Sequence, residues 1–142
     1  MHTIGQLLQN KGSHVETVGP DTTVFDALAV MADKEIGSLV VMYGDKPIGL
    51  FTERDYARNI ILKGRTSKQT KVDEIMTSHV IVANPDQSIE ECMAIMTEKR
   101  VRHLPVMQDE RLVGIISIGD LVKAIIEKQQ FVIEQLVSYI NS

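Results

Sequence analysis

The sequence predicts a layered α+β fold made of two tandem copies of one unit, each ordered strand, helix, strand, strand, helix. The first observation is a repeat: a shift of 65 positions aligns residues 20–61 with 85–126 without a gap, and 12 of these 42 positions are identical. Average composition would give only about two or three identities. The second observation is size, because 142 residues with 44% hydrophobic content suit one compact domain. A gapless repeat of this length indicates two copies of one supersecondary unit.

The first half of each copy combines an extended segment with a helix. Residues 15–18 and 80–83 are rich in β-branched side chains and stop before a proline. Thr23 and Ser88 then begin capping-box patterns, each with an acid three residues later. Apolar residues recur at helical spacing after both, which predicts two amphipathic helices.

The second half of each copy predicts an antiparallel hairpin followed by another helix. Turn-forming pairs, Gly44-Asp45 and Gln108-Asp109, separate short runs rich in Val, Leu and Ile. The predicted strands are 38–43, 47–52, 103–107 and 112–117. The second helix of each copy is predicted to begin at Arg54 and near Ile118, and residues 64–79 form a connector with a short helical piece at 72–76. The expected domains are residues 1–76, with the N-terminal segment and the connector, and residues 77–142, packed together with pseudo-twofold symmetry.

The last predicted helix carries more apolar surface than one copy needs. No Gly or Pro occurs from 121 to 140, and a broad apolar stripe follows helical spacing. Its members are Leu121, Ile125, Phe131, Val132, Leu136, Val137 and Ile140. We expect part of the stripe to close the core beside residues 3–9 and the rest to contact a second copy of the chain, giving a homodimer.

Composition excludes several classes of function. The net charge of −4 argues against nucleic acid as the main partner, because such domains are usually basic. The apolar runs are too short for a transmembrane helix, and residues 1–10 lack the features of a secretory signal. The single cysteine, Cys92, fits a reducing compartment and is interpreted as a small buried helix residue. We therefore expect a cytoplasmic protein that binds neither membrane nor nucleic acid.

A shared motif of glycine, hydroxyl and acid closes the hairpin of each copy. Thr52 precedes Asp55, and Ser117 precedes Asp120, where a strand ends and a helix begins. One interpretation is a capping box, which needs only this spacing. The other is a ligand site, because a helix N-terminus favours phosphate and a nearby carboxylate can accept both hydroxyls of a ribose. Gly49 and Gly114 allow either close approach of a ligand to the backbone or relief of a crowded strand.

These features together resemble a known family. Two copies of the pattern h-x-P-x-x-[ST], a hairpin, and G-h-h-[ST]-x-x-D are similar to the cystathionine-β-synthase (CBS) domain pair, also called a Bateman module. The resemblance covers roughly residues 3–140. The segments 62–68 and 99–105 resemble those of small stand-alone CBS-pair signal-transduction proteins in particular.

The resemblance implies a sensor of adenine-containing ligands, with AMP first and ADP, ATP, NAD(H) or S-adenosylmethionine as other members of the class. It implies two clefts between the copies and an unknown protein target that responds to the ligand. In the second cleft Asp120 would hold the ribose, Ser117 would face phosphate or ribose, and His103 would turn toward phosphate. The remaining implied ligand-binding residues are Arg102, Leu104, Pro105, Val82 and Ala83. In the first cleft they are Asp55, Thr52, Arg54, Ser38, Leu39, Val40, Thr17 and Val18, with Arg65 and Lys68 as phosphate partners.

The second cleft has the more basic surroundings. Lys99, Arg100 and Arg102 stand where the first copy has Lys34, Glu35 and Gly37. We therefore expect the second cleft to bind AMP-like ligands more reliably than the first.

Two other classes of function are alternatives to a sensor. An enzyme is disfavoured because the four histidines and Cys92 have no metal-ligand spacing and no glycine-rich phosphate loop occurs. Duplicated Ser and Asp residues also suit two binding sites better than one asymmetric catalytic site. The prediction is therefore a protein that is not an enzyme and has no catalytic cofactor or metal. The alternative is a ligand-free scaffold that dimerises through its C-terminal helix.

Overall fold

The computed structural model describes residues 2–142 and contains the predicted mixture of helices and two small sheets. The helices are α1 (Ile4–Lys11), α2 (Val24–Lys34), α3 (Glu53–Tyr56), α4 (Ile89–Lys99) and α5 (Ile118–Asn141). The strands are β1 (Thr17–Val18), β2 (Ser38–Tyr43), β3 (Lys46–Thr52), β4 (His103–Gln108) and β5 (Arg111–Ser117). The chain divides into two compact units. The first-repeat unit holds residues 14–81 with 109–113, and the second-repeat unit holds the described residues up to Ser13 with 82–108 and 114–142.

The first-repeat unit is built on a three-stranded sheet in the order β1-β2-β3. β1 pairs with β2 in parallel, and β2 pairs with β3 as an antiparallel hairpin whose register shifts between Val41 and Met42. The apolar face of α2 packs on this sheet because Val24, Ala27 and Met31 recur at helical spacing and are all buried.

The second repeat of the sequence contains the matching hairpin of β4 and β5, and α4 and α5 pack together in the second-repeat unit. Its core contains buried side chains from α4, β4, β5 and the first turn of α5, namely Ile89, Cys92, Met96, Leu104, Val106, Ile116 and Leu121. Burial raises the pKa of Cys92 to about 11, which agrees with its interpretation as a small core residue. No helix in residues 2–142 is both long enough and apolar enough to span a membrane.

Helix α1 belongs to the second-repeat unit. Thr3 forms a β-bridge with Ser88, and the amides of Ile4 and Gly5 donate to the carbonyls of Gln87 and Pro85 at 2.9 Å each. The sequence analysis grouped the N-terminal segment with residues up to 76, but its backbone bonds lie with the second repeat. This pairing joins residues about 85 positions apart, so no local pattern could reveal it.

One hairpin glycine in each unit packs against an apolar side chain from outside the aligned repeat, Gly49 against Met76 and Gly114 against Leu8. A Cβ atom on Gly49 would lie 2.2 Å from the Met76 sulfur, and one on Gly114 would lie 2.7 Å from a Leu8 methyl group. The two glycines therefore make room for an apolar side chain of their own unit. The suggested approach of a ligand to the backbone is not needed to explain them.

The predicted elements differ from the structure mainly where strands are short. Only Thr17–Val18 of residues 15–18 forms a strand, and residues 80–83 contribute one bridge, from Ala83 to Val106. The piece expected at 72–76 is a 3₁₀ turn at Val72–Glu74, and α3 continues as a π-helical turn at Ala57–Ile61. Local sequence predicts extended conformation, but whether a ladder forms depends on the partner strand.

Candidate functional site

Reciprocal hydrogen bonds join Thr52 to Asp55 at the start of α3 and Ser117 to Asp120 at the start of α5. The Asp55 carboxylate accepts from the Thr52 N–H at 3.0 Å, and the Thr52 hydroxyl accepts from the Asp55 N–H at 3.2 Å. The corresponding distances between Ser117 and Asp120 are 2.8 and 3.1 Å. The capping interpretation is therefore confirmed at both positions. A carboxylate has about four acceptor positions, so capping orients the acid and leaves capacity for ligand hydroxyls.

An equivalent backbone hydrogen bond in each unit places the residue before β2 or β4 beside the start of α3 or α5. The Glu53 N–H donates to the Gly37 carbonyl at 3.1 Å, and the Ile118 N–H donates to the Arg102 carbonyl at 2.9 Å. In the first-repeat unit Ser38 pairs with Thr52 in the β2–β3 register. Each unit thus brings its hydroxyl, its acid and the first residue of its hairpin together.

The extended segments lie beside these groups. Thr17 pairs with Val40 in the first-repeat unit, and the Ala83 N–H donates to the Pro105 carbonyl at 2.9 Å in the second. Among the apolar residues assigned to the sites, five are buried: Leu39, Val40, Ala83, Leu104 and Pro105. Thr17 and Val82 are exposed.

A lysine from α1 neutralises the acid of the second repeat. Lys11 Nζ lies 2.5 Å from Asp120 Oδ2 and donates to the Ile115 carbonyl at 2.7 Å. Partial burial disfavours ionisation of Asp120, but hydrogen bonds from Lys11 and Ser117 outweigh it and hold the pKa of the carboxyl below its ordinary 3.8. Asp120 is therefore a carboxylate at neutral pH.

His103 is the titratable group of this cluster that favours its neutral form. Burial lowers the pKa of His103 below its ordinary 6.5, and the positive charge of Lys11 lowers it further. Asp120 acts in the opposite direction, and Arg102 adds a smaller lowering effect. The imidazole is therefore poised to gain a proton when a new negative charge arrives.

The acid of the first repeat has a neutral partner. Asp55 Oδ1 accepts a hydrogen bond from the Thr77 hydroxyl at 3.2 Å, and Asp55 Oδ2 also accepts from the Thr52 hydroxyl at 3.1 Å. No ion pair involves Asp55 in the part of the chain that the structure describes. The two acids have the same cap but different charge surroundings.

Two basic residues assigned to the first site have other partners. Arg65 forms an ion pair with Glu74 at 2.8 Å, and the Lys68 ammonium lies 5.0 Å from the centre of the Phe25 ring. Arg54 is exposed within the first turn of α3, one residue before Asp55. Of these three cations, Arg54 is the one beside the hydroxyl and the acid.

A cavity of about 430 Å³ in the second-repeat unit is lined by Asp120 and Lys11, with Leu7, Lys123 and Glu127 from the two helices. A larger cavity of about 660 Å³ in the first-repeat unit lies near Glu35, Gly37 and Glu53, and its lining contains none of the predicted site residues. Of these two cavities, the smaller one contains a duplicated acid, Asp120.

Lys11 and Thr77 contact the two acids and Lys123 lines the smaller cavity, although no sequence pattern indicates these roles. Lys11 and Thr77 lie outside the aligned repeat, and Lys11 is 109 positions away from Asp120. Lys11 and Thr77 reach the two acids through tertiary packing of the segments that precede the two repeats, and no local sequence pattern reveals such packing. Within residues 2–142, no three His, Cys, Asp or Glu side chains are grouped closely enough to hold a metal ion.

Comparison with known proteins gives a consistent result. A family model described as the CBS domain matches residues 11–62 and 72–127. A mitochondrial CBS domain-containing protein of Arabidopsis thaliana, CBSX3, is 37% identical over 98% of this chain and 72% of its own length. The crystal structure of a CBS-domain containing protein from Agrobacterium tumefaciens is 40% identical, with a TM-score of 0.80 over 87% of this chain and 92% of that one.

One relative is an enzyme. Inosine-5'-monophosphate dehydrogenase of Methanocaldococcus jannaschii is 40% identical over 77% of this chain, but the match covers only 21% of that enzyme. Enzymes of this kind match through their CBS regulatory domains, whereas other relatives are stand-alone CBS-domain proteins. This chain therefore corresponds to the CBS regulatory part of such an enzyme.

Proposed function

Since this chain belongs to the CBS domain family, whose pairs are regulatory modules that generally bind adenosine ligands, we propose that it senses an adenine nucleotide. AMP is the first candidate, and ADP, ATP, NAD(H) and S-adenosylmethionine are the other members of the class. The nucleotide would change the affinity of the module for a partner protein, which requires different ligand affinities in the two states. The single observation that carries the proposal is the duplicated pair of hydroxyl and acid at two equivalent helix starts.

The chemistry of these helix starts suits a nucleoside monophosphate. The helix dipole favours phosphate, and an ionised carboxylate accepts the two ribose hydroxyls. Asp120 is ionised, already oriented by Ser117, and next to His103, which can gain a proton opposite a phosphate. Asp55 and Thr52 would have the same roles in the first repeat, with Arg54 as the nearby cation.

The second site is proposed to bind AMP more tightly than the first. Lys11 and Arg102 surround Asp120 and His103 with positive charge, as the influence of both on the His103 pKa indicates. In the first repeat, Arg65 is already paired with Glu74. A phosphate would therefore meet two cations beside the acid in the second-repeat unit, Lys11 and Arg102, but only Arg54 beside the acid in the first.

Calorimetric titration with AMP tests the proposal, and Asp120→Asn is the first variant. We expect AMP to bind the wild type, and we expect Asp120→Asn to weaken the second site roughly 10- to 100-fold, because a charge-assisted hydrogen bond contributes about 1.5–3 kcal/mol. Asp55→Asn should weaken the first site in the same way.

The matched control is Glu91→Gln, because Glu91 completes an equivalent capping box with Ser88 at the start of α4, outside the proposed site. This variant should lose helix stability but bind AMP like the wild type. If neither AMP nor another adenine ligand binds the wild type, or if Asp120→Asn binds AMP normally, the proposal is wrong.

The other candidate function is a scaffold that associates through α5 without a ligand. The observation that favours it is the exposure of the distal half of this helix, where Ile133, Leu136 and Ile140 are each more than half exposed. We propose that this surface joins two copies of the chain into a homodimer, whether or not a nucleotide binds. The cytoplasmic location stays a prediction, since one relative is named as mitochondrial.

A further inference from the structure

We infer that Lys11 makes the second site selective for phosphorylated adenosines. It balances the charge of Asp120 when the site is empty and turns to the ligand phosphate when a nucleotide binds. This inference depends on the proposed function, and it names a residue outside the repeat as the determinant of ligand class.

The geometry places Lys11 in direct competition with a ribose. Its ammonium lies 2.5 Å from Asp120 Oδ2, the same oxygen that accepts from the Ser117 N–H at 2.8 Å. Two ribose hydroxyls arriving at Asp120 would therefore meet a carboxylate that already accepts hydrogen bonds from the Ser117 N–H and the Lys11 ammonium. Nucleoside binding requires Lys11 to withdraw or to share its partner.

The consequence for binding depends on the charge of the ligand. A displaced Lys11 ammonium loses its counter-ion. The neighbouring Lys123 and Arg102 are positive and His103 is neutral, so none of them can replace the lost carboxylate. Glu127 is the only other acid lining the cavity, and it lies about two turns along α5 from Asp120. A phosphate supplies a new anion for Lys11, whereas adenosine supplies none, so adenosine bears the full cost of breaking the ion pair.

Lys11 can make this movement because of where it lies. It is the last residue of α1, followed by Gly12 with a φ of 102°, and its side chain is 34% exposed. A long, partly exposed side chain at a helix end can change rotamer without moving the core. The carbonyl of Ile115 is its other partner, at 2.7 Å.

The first repeat provides an internal contrast. The corresponding partner of Asp55 is the neutral hydroxyl of Thr77 at 3.2 Å. A hydroxyl can yield to a ribose without leaving a charge unpaired. We therefore expect the first site to distinguish AMP from adenosine less strongly than the second.

The experiment compares AMP with adenosine in the full chain carrying Asp55→Asn, so that the second site dominates the titration. In this background, Lys11→Met should weaken AMP binding roughly 10- to 100-fold and leave adenosine binding unchanged or tighter. Lys11→Arg should retain most of the preference for AMP. The control is Lys128→Met, which breaks the ion pair with Glu90 in the same unit and should leave the preference as it was.

A second readout needs no ligand. Because Lys11 lowers the pKa of Asp120, the Asp120 carboxyl pKa followed by NMR should rise in Lys11→Met and stay unchanged in Lys128→Met. If this pKa does not move, the ion pair and the inference are both wrong. If AMP binds the wild type but Lys11→Met weakens AMP and adenosine equally, the inference is wrong while the proposed function stands. If no adenine ligand binds any of these proteins, the proposed function fails, and this inference fails with it.

Discussion

His103 lies at the first position of β4, half-buried and within the electrostatic influence of Lys11, Arg102 and Asp120. Its pKa is lowered by burial first and by Lys11 second. The unfolded chain therefore takes up a proton at a higher pH than the folded chain does. The contribution of His103 to the free energy of folding is complete above its ordinary pKa of 6.5 and is lost as the pH falls through the lower folded value.

We predict that His103→Gln flattens the loss of stability below pH 6.5, by at most about 1.4 kcal/mol per pH unit. We also predict that AMP raises the His103 pKa, because a phosphate replaces a positive environment with a negative charge. Urea unfolding at several pH values and NMR titration of the imidazole measure the two effects. His14→Gln is the control, since His14 is highly exposed and pairs only with Glu16. An unchanged His103 pKa in a protein saturated with AMP would contradict its placement beside phosphate.

Individual residues also mark what the sequence could and could not predict. The bonds between Thr52 and Asp55 and between Ser117 and Asp120 follow from a spacing of three residues at a helix start, so they were predictable. At Thr23 only the hydroxyl half of the expected capping box forms, from the Asp26 N–H. The role of Lys11 could not be predicted, because it depends on a contact across 109 positions.

At the scale of elements, the hairpins were predicted to within one residue because their turn residues and short runs rich in Val and Leu are local signals. The packing of α1 against the β5 glycine was not predicted, and it can be tested. Gly114→Ala should destabilise the fold by about 1–3 kcal/mol, because the new methyl group would lie 2.7 Å from Leu8. This sign is opposite to the small gain that alanine normally brings within a strand.

Chemical unfolding of Gly114→Ala measures the effect, and Leu8→Ala in the same chain should offset part of the loss. Gly119→Ala is the matched control, because the nearest atom to its new Cβ is the Ser117 hydroxyl at an ordinary 3.6 Å. That change in the first turn of α5 should stabilise the protein by about 0.5–1 kcal/mol. Equal effects of the two glycine substitutions would show that close packing at Gly114 is not the cause.

At the scale of the whole molecule, α5 carries a seam suited to pairing with an identical helix. Ile126, Ile133 and Ile140 recur every seven residues, and Val122, Gln129 and Leu136 form a second set with the same spacing. β-Branched residues and leucine in these two sets of positions are typical of two-stranded coiled coils. Residues 129–142 contain a single charged side chain, Glu134, so they lack the basic residues that usually hold a helix on an anionic membrane.

We predict that the wild type has twice the mass of one chain in solution and that Ile133→Glu weakens self-association roughly 100-fold or more, because it places a charge in an apolar seam. Light scattering after size-exclusion chromatography over a range of concentrations measures this change. Ser138→Glu adds the same charge on the opposite side of α5 and should leave the mass unchanged. A monomeric wild type, or an undisturbed Ile133→Glu dimer, would contradict the proposed interface.

The bridge between Thr3 and Ser88 also bears on how the protein is made. A ribosome synthesises α1 long before the groups that hold it, at Pro85, Gln87, Gly114 and Asp120. During translation the apolar face of Ile4, Leu7 and Leu8 must therefore wait without its native neighbours. Slow synthesis would expose that face to chaperones for longer, and the time needed to close the second-repeat unit would depend on the arrival of Gly114 and Asp120 rather than on the intrinsic rate of helix formation.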